Sequence, residues 1–229
     1  MEEVAVVMRG LWLRRNTFVF ESKLLSNTYV ISVARESLEE YQSSILKITE
    51  IRQQANTGDV VHSWSPPSVN WFKANWDAAL DVKQRKVGLG VVIKNDRGEV
   101  MAACCESKNF VEQPAIAEGW ALRKAMELCE DLKFNKVILE GDAQVVVNAV
   151  NSQTEDLSYF GSIIEDLKVQ MKEWPNWSVK FANRNINTVA HTFAKEALHI
   201  DLEKIWIEDI PVCLSDCLLR DYCIVNTDI

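Results

Sequence analysis

The sequence predicts a mixed α/β fold between residues 64 and 200. Strand-like segments follow one another closely after residue 70, and apolar strand segments then alternate with helical ones. Hydrophobic residues make up 48% of the 229 residues, which is enough to bury a substantial core. The predicted order is βββαβααβα, and helical crossovers would make the two later strands parallel to the first. We therefore expect a five-stranded mixed sheet with helices on both faces.

Alternating polar and apolar residues, separated by turn residues, predict three antiparallel strands at the start of this unit. The strands cover Trp71–Ala78, Gly88–Lys94 and Glu99–Cys105. The segment Asn95-Asp96-Arg97-Gly98 has the composition of a hairpin turn and separates the second strand from the third. The prolines of Trp64-Ser65-Pro66-Pro67 make that segment stiff and extended, and it is predicted to be a linker into the unit.

Four helices and two further strands are predicted after the antiparallel strands. Pro114 stands where the first turn of a helix tolerates proline, and Trp174-Pro175-Asn176 ends a later helix. In order, the predicted elements are helix Ala115–Leu132, strand Val137–Leu139, helix Ala143–Val150, helix Tyr159–Glu173, strand Trp177–Ala182 and helix Asn187–His199.

The chain divides into three predicted parts. Residues 1–63 have a basic-aromatic patch and a helix-like segment, residues 64–200 form the α/β domain, and residues 201–229 form an acidic tail. Acidic residues precede the first arginines, which is the reverse of the charge order in a secretory signal, and no apolar run reaches membrane-spanning length. We expect a monomer that makes no use of a membrane.

Charge and cysteine usage narrow the classes of function. The net charge of −8 argues against a protein that coats DNA. Much of that charge lies in the tail, however, and the near-neutral central domain is compatible with nucleic acid. The six cysteines include no CxxC pair, which favours an intracellular, reducing compartment. Cys213, Cys217 and Cys223 fit either buried tail residues or a metal site.

Three acidic residues occupy the ends of predicted elements. Asp77 shares a strand face with Lys73 and Asn75, and it fits either a solvated residue or a functional acid. Glu118 lies on the core-facing stripe of its helix, where an acid without a partner or a metal is costly. Asp142 follows a buried strand and opens a helix, so a plain N-cap is its other interpretation.

Neighbouring strand ends would bring Asp77 and Asp142 together, and a helix packed across the sheet would add Glu118. Three converging acids repel one another unless a metal ion lies among them. Hard oxygen ligands suit magnesium or manganese. The sequence therefore predicts a divalent metal site and no small-molecule cofactor.

Five strings in this order together carry a resemblance to a known family: WFKANWDAA, GLGVVI, AEGWAL, LEGDAQ and NTVAHTFAK. They resemble a ribonuclease H domain, and more narrowly the reverse-transcriptase-associated ribonuclease H proteins that are abundant in plants and related to non-LTR retrotransposons. The flanking strings LWLRRNTFVF and WIEDIP are similar to segments on either side of the nuclease domain in those proteins. The resemblance implies that residues 1–63 are a remnant of a retroelement polyprotein.

The resemblance implies a metal-dependent endonuclease that cleaves the RNA strand of an RNA/DNA hybrid. It places Asp77, Glu118 and Asp142 around two magnesium ions, or manganese, at a scissile phosphate. His191 falls at the family's fourth metal position, although a structural histidine on a helix edge is the alternative, and nearby acids are expected to raise its pKa. Gln144 matches a position that reaches into the minor groove, although an exposed glutamine without a role is the alternative.

Several positions depart from the family pattern. The loop between Phe181 and Ile186 lacks the histidine of bacterial relatives, and Ala78 replaces a glycine. Pro114 and Ala115 stand where those relatives place asparagines that contact the hybrid. These departures favour the alternative of a catalytically weak or inactive nucleic-acid- or protein-binding module domesticated from a retrotransposon. A serine or cysteine hydrolase is not supported, because the sequence has neither a nucleophile elbow nor a Cys-His pairing.

Overall fold

A computed structural model of the chain describes residues 6–8, 10–12, 14–15, 24, 26–35, 38, 64–109, 111–154 and 156–208. The chain forms two units, Met1–Val60 and Val61–Ile229. In the first unit, residues 27–35 are helical. Most of the predicted N-terminal helix and the cysteines at 213, 217 and 223 lie outside the described residues.

The second unit is built on a mixed sheet whose strand order is β5-β4-β1-β2-β3-β6. The strands are β1 Phe72–Asp81, β2 Lys86–Lys94, β3 Val100–Asn109, β4 Val137–Gly141, β5 Trp177–Phe181 and β6 Lys204–Ile207. Strands β1, β2 and β3 are antiparallel, whereas β4 is parallel to β1 and β5 is parallel to β4. The predicted α/β class and mixed sheet are confirmed.

The prediction of five strands is wrong by one strand. β6 pairs with the open edge of β3 in antiparallel register, with Trp206 opposite Ala103. The ring of Trp206 packs against Phe193 at 5.9 Å between ring centroids, and Glu203 forms an ion pair with Lys124. A segment predicted as part of the acidic tail therefore completes the sheet.

Four helices cover the two faces of the sheet. They are α1 Pro114–Asp131, α2 Gln144–Asn151, α3 Tyr159–Glu173 and α4 Thr188–Ala197. Helices α1, α2 and α3 pack on the face that carries Ala74 and Trp76, where the main hydrophobic core lies. Helix α4 packs on the opposite face, against Val92 and Ala103. Among the described residues, no helix is both long and apolar enough to cross a membrane.

Side chains fix the two hairpins that connect the first three strands. Asn95 Oδ1 accepts hydrogen bonds from the backbone N–H groups of Arg97 and Glu99, at 2.9 and 3.0 Å, and Gly98 adopts a φ of 76°. The predicted turn between β2 and β3 is confirmed. Asp81 Oδ1 likewise accepts from the N–H of Lys83, at 2.8 Å, and holds the loop between β1 and β2.

Candidate metal centre

Asp77 lies on β1 in register with Gly90 of β2, and the residue is only 3% exposed. The interpretation of Asp77 as a solvated residue is therefore wrong. Gly90 permits the close approach of α4 at this point, because a Cβ atom there would lie 2.2 Å from the backbone nitrogen of Ala194. The backbone of α4 thus lies directly against β2, beside Asp77.

Asp142 comes immediately after β4, which runs parallel to β1 with Glu140 in register with Asn75. The parallel pairing places the end of β4 beside the middle of β1, so Asp142 comes close to Asp77, although Asp77 lies four residues before the end of β1 and not near that end as predicted. The N-terminal end of α2 has no side-chain cap, so the N-cap interpretation of Asp142 is not supported. Gly141 is required before it, since a Cβ atom there would lie 2.4 Å from the ring of Trp76.

Glu118 reaches the same place from α1, where it is half-buried. One oxygen from each of Asp77, Glu118 and Asp142 lies within 4.8 Å of the other two. Glu118 Oε2 is buried and has no hydrogen-bond partner. Within the described part of the chain, no other group of three acidic, histidine or cysteine side chains has this geometry.

Burial and mutual repulsion disfavour the charged forms of these acids. Burial, followed by the charge of Asp142, raises the pKa of Asp77 from 3.8 to about 8. Burial and the charges of Asp77 and Asp142 raise the pKa of Glu118 from 4.5 to about 9. A divalent cation would remove this penalty and satisfy the orphaned Glu118 oxygen, so the donor set fits a hard metal ion.

His191 contacts the acidic cluster from α4. Its Nδ1 lies 2.7 Å from Asp77 Oδ2, and its Nε2 lies 3.5 Å from Nη2 of Arg184. A guanidinium group only donates hydrogen bonds, so the bond from Arg184 leaves the histidine proton on Nδ1, facing Asp77. His191 is a neighbour of the three-oxygen group rather than a member of it.

The predicted rise in the pKa of His191 is wrong. Burial, followed by the positive charges of Lys195 and Arg184, lowers the pKa of His191 below its ordinary value of 6.5. The contribution of Asp142 raises it, but that contribution is the smallest of the four. The imidazole therefore stays neutral to lower pH than a free histidine does.

Gln144 lies outside the cluster, as the exposed first residue of α2. Its Nε2 donates a hydrogen bond of 2.8 Å to Asn148 Oδ1, one turn further along the helix. Its sequence position has two interpretations, a residue that contacts the minor groove or an exposed glutamine without a function, and both remain predictions.

Sequence reasoning missed two residues that touch the site. Arg184 occupies the loop between β5 and α4, and its charge opposes the rise in the pKa of both Asp77 and Glu118. Asn187 is 1% exposed and donates hydrogen bonds to Trp76 O, at 2.9 Å, and Asp142 Oδ1, at 3.4 Å. An arginine in a loop and an asparagine at a helix start are both ordinary sequence features, so the sequence alone assigns neither residue to the site.

Comparison with known proteins agrees with this geometry. The family described as "Reverse transcriptase-like" matches residues 75–197, which include all three acids and His191. A search of the curated proteins found no match to the chain.

Solved structures with a similar fold include RNase H enzymes. An RNase H1 isolated from compost by a metagenomic approach is 18% identical with a TM-score of 0.51, over 57% of this chain and 97% of that one. The same RNase H1 in complex with an RNA/DNA hybrid is 17% identical with a TM-score of 0.50, over 56% and 96%. The N-terminal RNase H domain of a Mycobacterium tuberculosis protein, fused to maltose-binding protein, is 15% identical with a TM-score of 0.51, over 56% and 93%. At these identities the likeness establishes the fold.

Proposed function

This chain belongs to the reverse transcriptase-like family and has an RNase H-like fold, and on that premise we propose that it cleaves the RNA strand of RNA/DNA hybrids. The observation that carries the proposal is the convergence of Asp77, Glu118 and Asp142 to within 4.8 Å, with a buried oxygen of Glu118 unpartnered. A cluster of this kind is costly in the absence of a cation.

The three acids would hold magnesium or manganese, and we propose two ions. Bound metal would supply a water nucleophile of lowered pKa and stabilise the negative charge that develops on the leaving 3′-oxygen. The chain itself positions the ligands. His191 donates to Asp77, Asn187 donates to Asp142, and Glu118 is left with an open oxygen.

RNA/DNA hybrid is the proposed substrate because a solved structure of similar fold is a complex with that nucleic acid. Gln144 lies two residues after Asp142 at the exposed start of α2, and we propose that it contacts the minor groove next to the cleaved phosphate. The 2′-hydroxyl groups of the RNA strand distinguish a hybrid from DNA in such a groove.

A panel of labelled substrates tests the proposal. The purified chain is incubated with an RNA/DNA hybrid, single-stranded RNA, double-stranded RNA and double-stranded DNA, each with magnesium, manganese or EDTA. We expect internal cuts in the RNA strand of the hybrid, only with metal. Equal cutting of single-stranded RNA would point to a general ribonuclease or a contaminant and would contradict the proposal.

A nucleic-acid-binding domain without catalysis is the second candidate. One contact favours it, since the 2.7 Å hydrogen bond from His191 occupies an Asp77 oxygen that a metal ion would otherwise use. Under this alternative the chain would retard the hybrid in a gel but leave it uncut with either metal.

We also propose an origin for the chain, which the segments on either side of the domain indicate. The string LWLRRNTFVF before the domain and WIEDIP after it are similar to segments of retrotransposon-derived plant proteins. Residues 1–63 would then be a polyprotein remnant before the nuclease domain, which begins at residue 64 and includes β6 of the segment predicted as a tail.

A further inference from the structure

A line of buried hydrogen bonds runs from the start of the second unit to the acidic cluster. Trp64 Nε1 donates to Asn75 Oδ1 at 3.0 Å, and Asn75 Nδ2 donates to Asn187 Oδ1 at 3.3 Å. Asn187 Nδ2 then donates to Asp142 Oδ1 at 3.4 Å and to Trp76 O at 2.9 Å. Trp64, Asn75 and Asn187, here termed the amide relay, are each no more than 2% exposed.

The amide relay has a fixed direction because it starts at an indole. An indole N–H can only donate, so the carbonyl oxygen of Asn75 must face Trp64. The NH₂ group of Asn75 then faces Asn187 and turns the oxygen of that amide toward itself. The NH₂ group of Asn187 then faces Asp142 Oδ1 and Trp76 O, both of which accept hydrogen bonds.

Trp64 is held firmly enough to set this direction. The Nζ atoms of Lys94 and Lys73 lie 4.4 and 5.2 Å from the centre of its ring, within the range of cation–π attraction. Lys73 Nζ also donates a hydrogen bond of 2.7 Å to Ser65 O and forms a 3.1 Å ion pair with Glu140, two residues before Asp142. The segment predicted as a linker is therefore anchored at Trp64 to the sheet face that carries the site.

We propose that the amide relay positions the carboxylate of Asp142 for metal binding, with Trp64 as its anchor. The proposal rests on the proposed function, since it concerns the same metal centre. It adds a determinant outside the family match, which begins at Asn75. Without the indole N–H, the amide of Asn75 can rotate by half a turn. Its oxygen would then face Asn187 Oδ1, whose orientation is held by the hydrogen bond to Trp76 O, and the repulsion would shift Asn187 together with the carboxylate of Asp142.

Replacing Trp64 by phenylalanine tests the relay, because W64F keeps an aromatic ring and removes only the donor. Manganese binding to the full chain is measured by electron paramagnetic resonance, which requires no cleavage. We expect W64F to weaken manganese binding by about tenfold, the usual scale for groups that orient a metal ligand. The matched control is W177F, which deletes a 2.9 Å hydrogen bond from the Trp177 indole to Phe134 O. Trp177 begins β5, at the end of that strand which lies away from Asp142. W177F should lower the melting temperature but leave manganese affinity unchanged.

A double-mutant cycle separates positioning from general loosening of the fold. If Trp64 acts through Asn187, the W64F/N187A double variant should bind manganese no more weakly than N187A alone, since coupled residues are not additive. N75A provides the same comparison in the middle of the relay if N187A fails to fold. Effects of W64F and N187A that simply multiply would overturn the relay.

The remaining outcomes distinguish the two proposals. Unchanged manganese affinity in folded W64F, or an equal loss in W177F, would overturn the relay alone. A parent chain that binds manganese but cleaves no hybrid would overturn the proposed function and leave the relay standing. A parent chain that binds no manganese would overturn both.

Discussion

The electrostatics of the site depend strongly on Asp77. It is almost fully buried, lies beside two other carboxylates, and accepts a hydrogen bond from His191. Its asparagine analogue has nearly the same shape and no charge. Substitution at this position therefore separates a catalytic role from a structural one.

D77N should abolish hybrid cleavage without unfolding the chain. The loss should be about a hundredfold or more, since a bound metal supplies several kcal/mol and about 1.4 kcal/mol corresponds to tenfold. The melting temperature in EDTA should stay level or rise, because one member of a repelling cluster is removed. D131N, at the exposed end of α1, is the charge-matched control and should change neither quantity. Strong destabilisation with residual cleavage would make Asp77 a structural residue.

Stability without metal should depend on pH in a defined direction. The folded pKa values of Asp77 and Glu118, about 8 and about 9, lie above their ordinary values of 3.8 and 4.5. Between these limits the folded chain binds more protons than the unfolded chain, so the free energy of unfolding falls as the pH rises. The stabilisation is complete below about pH 4 and is lost as the pH passes through 8 to 9.

Thermal unfolding in EDTA at pH 5, 6.5 and 8 measures this dependence. The melting temperature of the parent should fall more steeply with pH than that of D77N, which serves as the internal control. Magnesium should raise the melting temperature more at pH 8 than at pH 5, because the metal binds ionised carboxylates. Parallel pH curves for parent and D77N would show that burial of Asp77 carries no penalty.

His191 permits a test of ligand chemistry at the edge of the cluster. Aspartate is a harder ligand than imidazole, so H191D should increase cleavage with magnesium and reduce the relative preference for manganese. H191A removes the hydrogen bond to Asp77 and should weaken cleavage with both ions, by about tenfold. Rates of the three proteins are compared across pH at fixed metal. An alanine variant equal to the parent with both ions would remove His191 from the site.

At the scale of elements, β6 shows what a short strand contributes. It covers the open edge of β3, and Trp206 adds an aromatic contact to the core under α4. An uncovered β3 would present unpaired backbone groups to other chains. The strand is thus part of the folded unit, although its sequence lies in the segment predicted as a tail.

Truncation before β6 should destabilise the chain, whereas truncation after it should not. Removing residues 201–229 deletes the strand and the Trp206 contact, at a cost on the order of 3 kcal/mol, or about 6 to 12 °C in melting temperature. Removing residues 210–229 keeps β6 and should leave the melting temperature within about 2 °C of the parent. Equal melting temperatures for both truncations would mean that β6 adds nothing to stability.

The elements differed in how well the sequence could predict them. Long segments with clear periodicity predict which elements are helices or strands and the order in which they occur. Helix α3 was predicted with its observed bounds, Tyr159–Glu173. β6 has four residues and little alternation, and it is defined by the free edge of β3 rather than by its own pattern. A single sequence does not reveal which edge is left open.

The candidate site could likewise be predicted only in part. The positions of Asp77, Glu118 and Asp142 followed from strand ends, a helix stripe and the resemblance to ribonuclease H. The resemblance also placed His191 beside the acids, but its hydrogen bond to Asp77 joins residues 114 positions apart, and the amide relay joins Asn75 to Asn187 over 112. Such contacts depend on which faces meet in three dimensions, and local periodicity carries no information about them.

At the scale of the whole molecule, the fold gathers its functional groups where β4 ends beside the central strand β1. Helices α1 and α4 approach this point from opposite faces of the sheet and bring Glu118 and His191. The acidic surplus is concentrated after residue 200, away from these groups in the sequence. We propose that these groups form a metal-dependent nuclease centre.

The most direct test compares metal occupancy with cleavage in one titration. Manganese binding and the rate of cutting of a labelled RNA/DNA hybrid are measured together for the parent and for D142N. We predict that cleavage by the parent rises in step with manganese occupancy and leaves 3′-hydroxyl and 5′-phosphate ends, and that D142N loses both binding and cleavage. Cutting that persists in EDTA, or that D142N retains at the parental rate, would show that the three acids are not a metal-dependent nuclease centre.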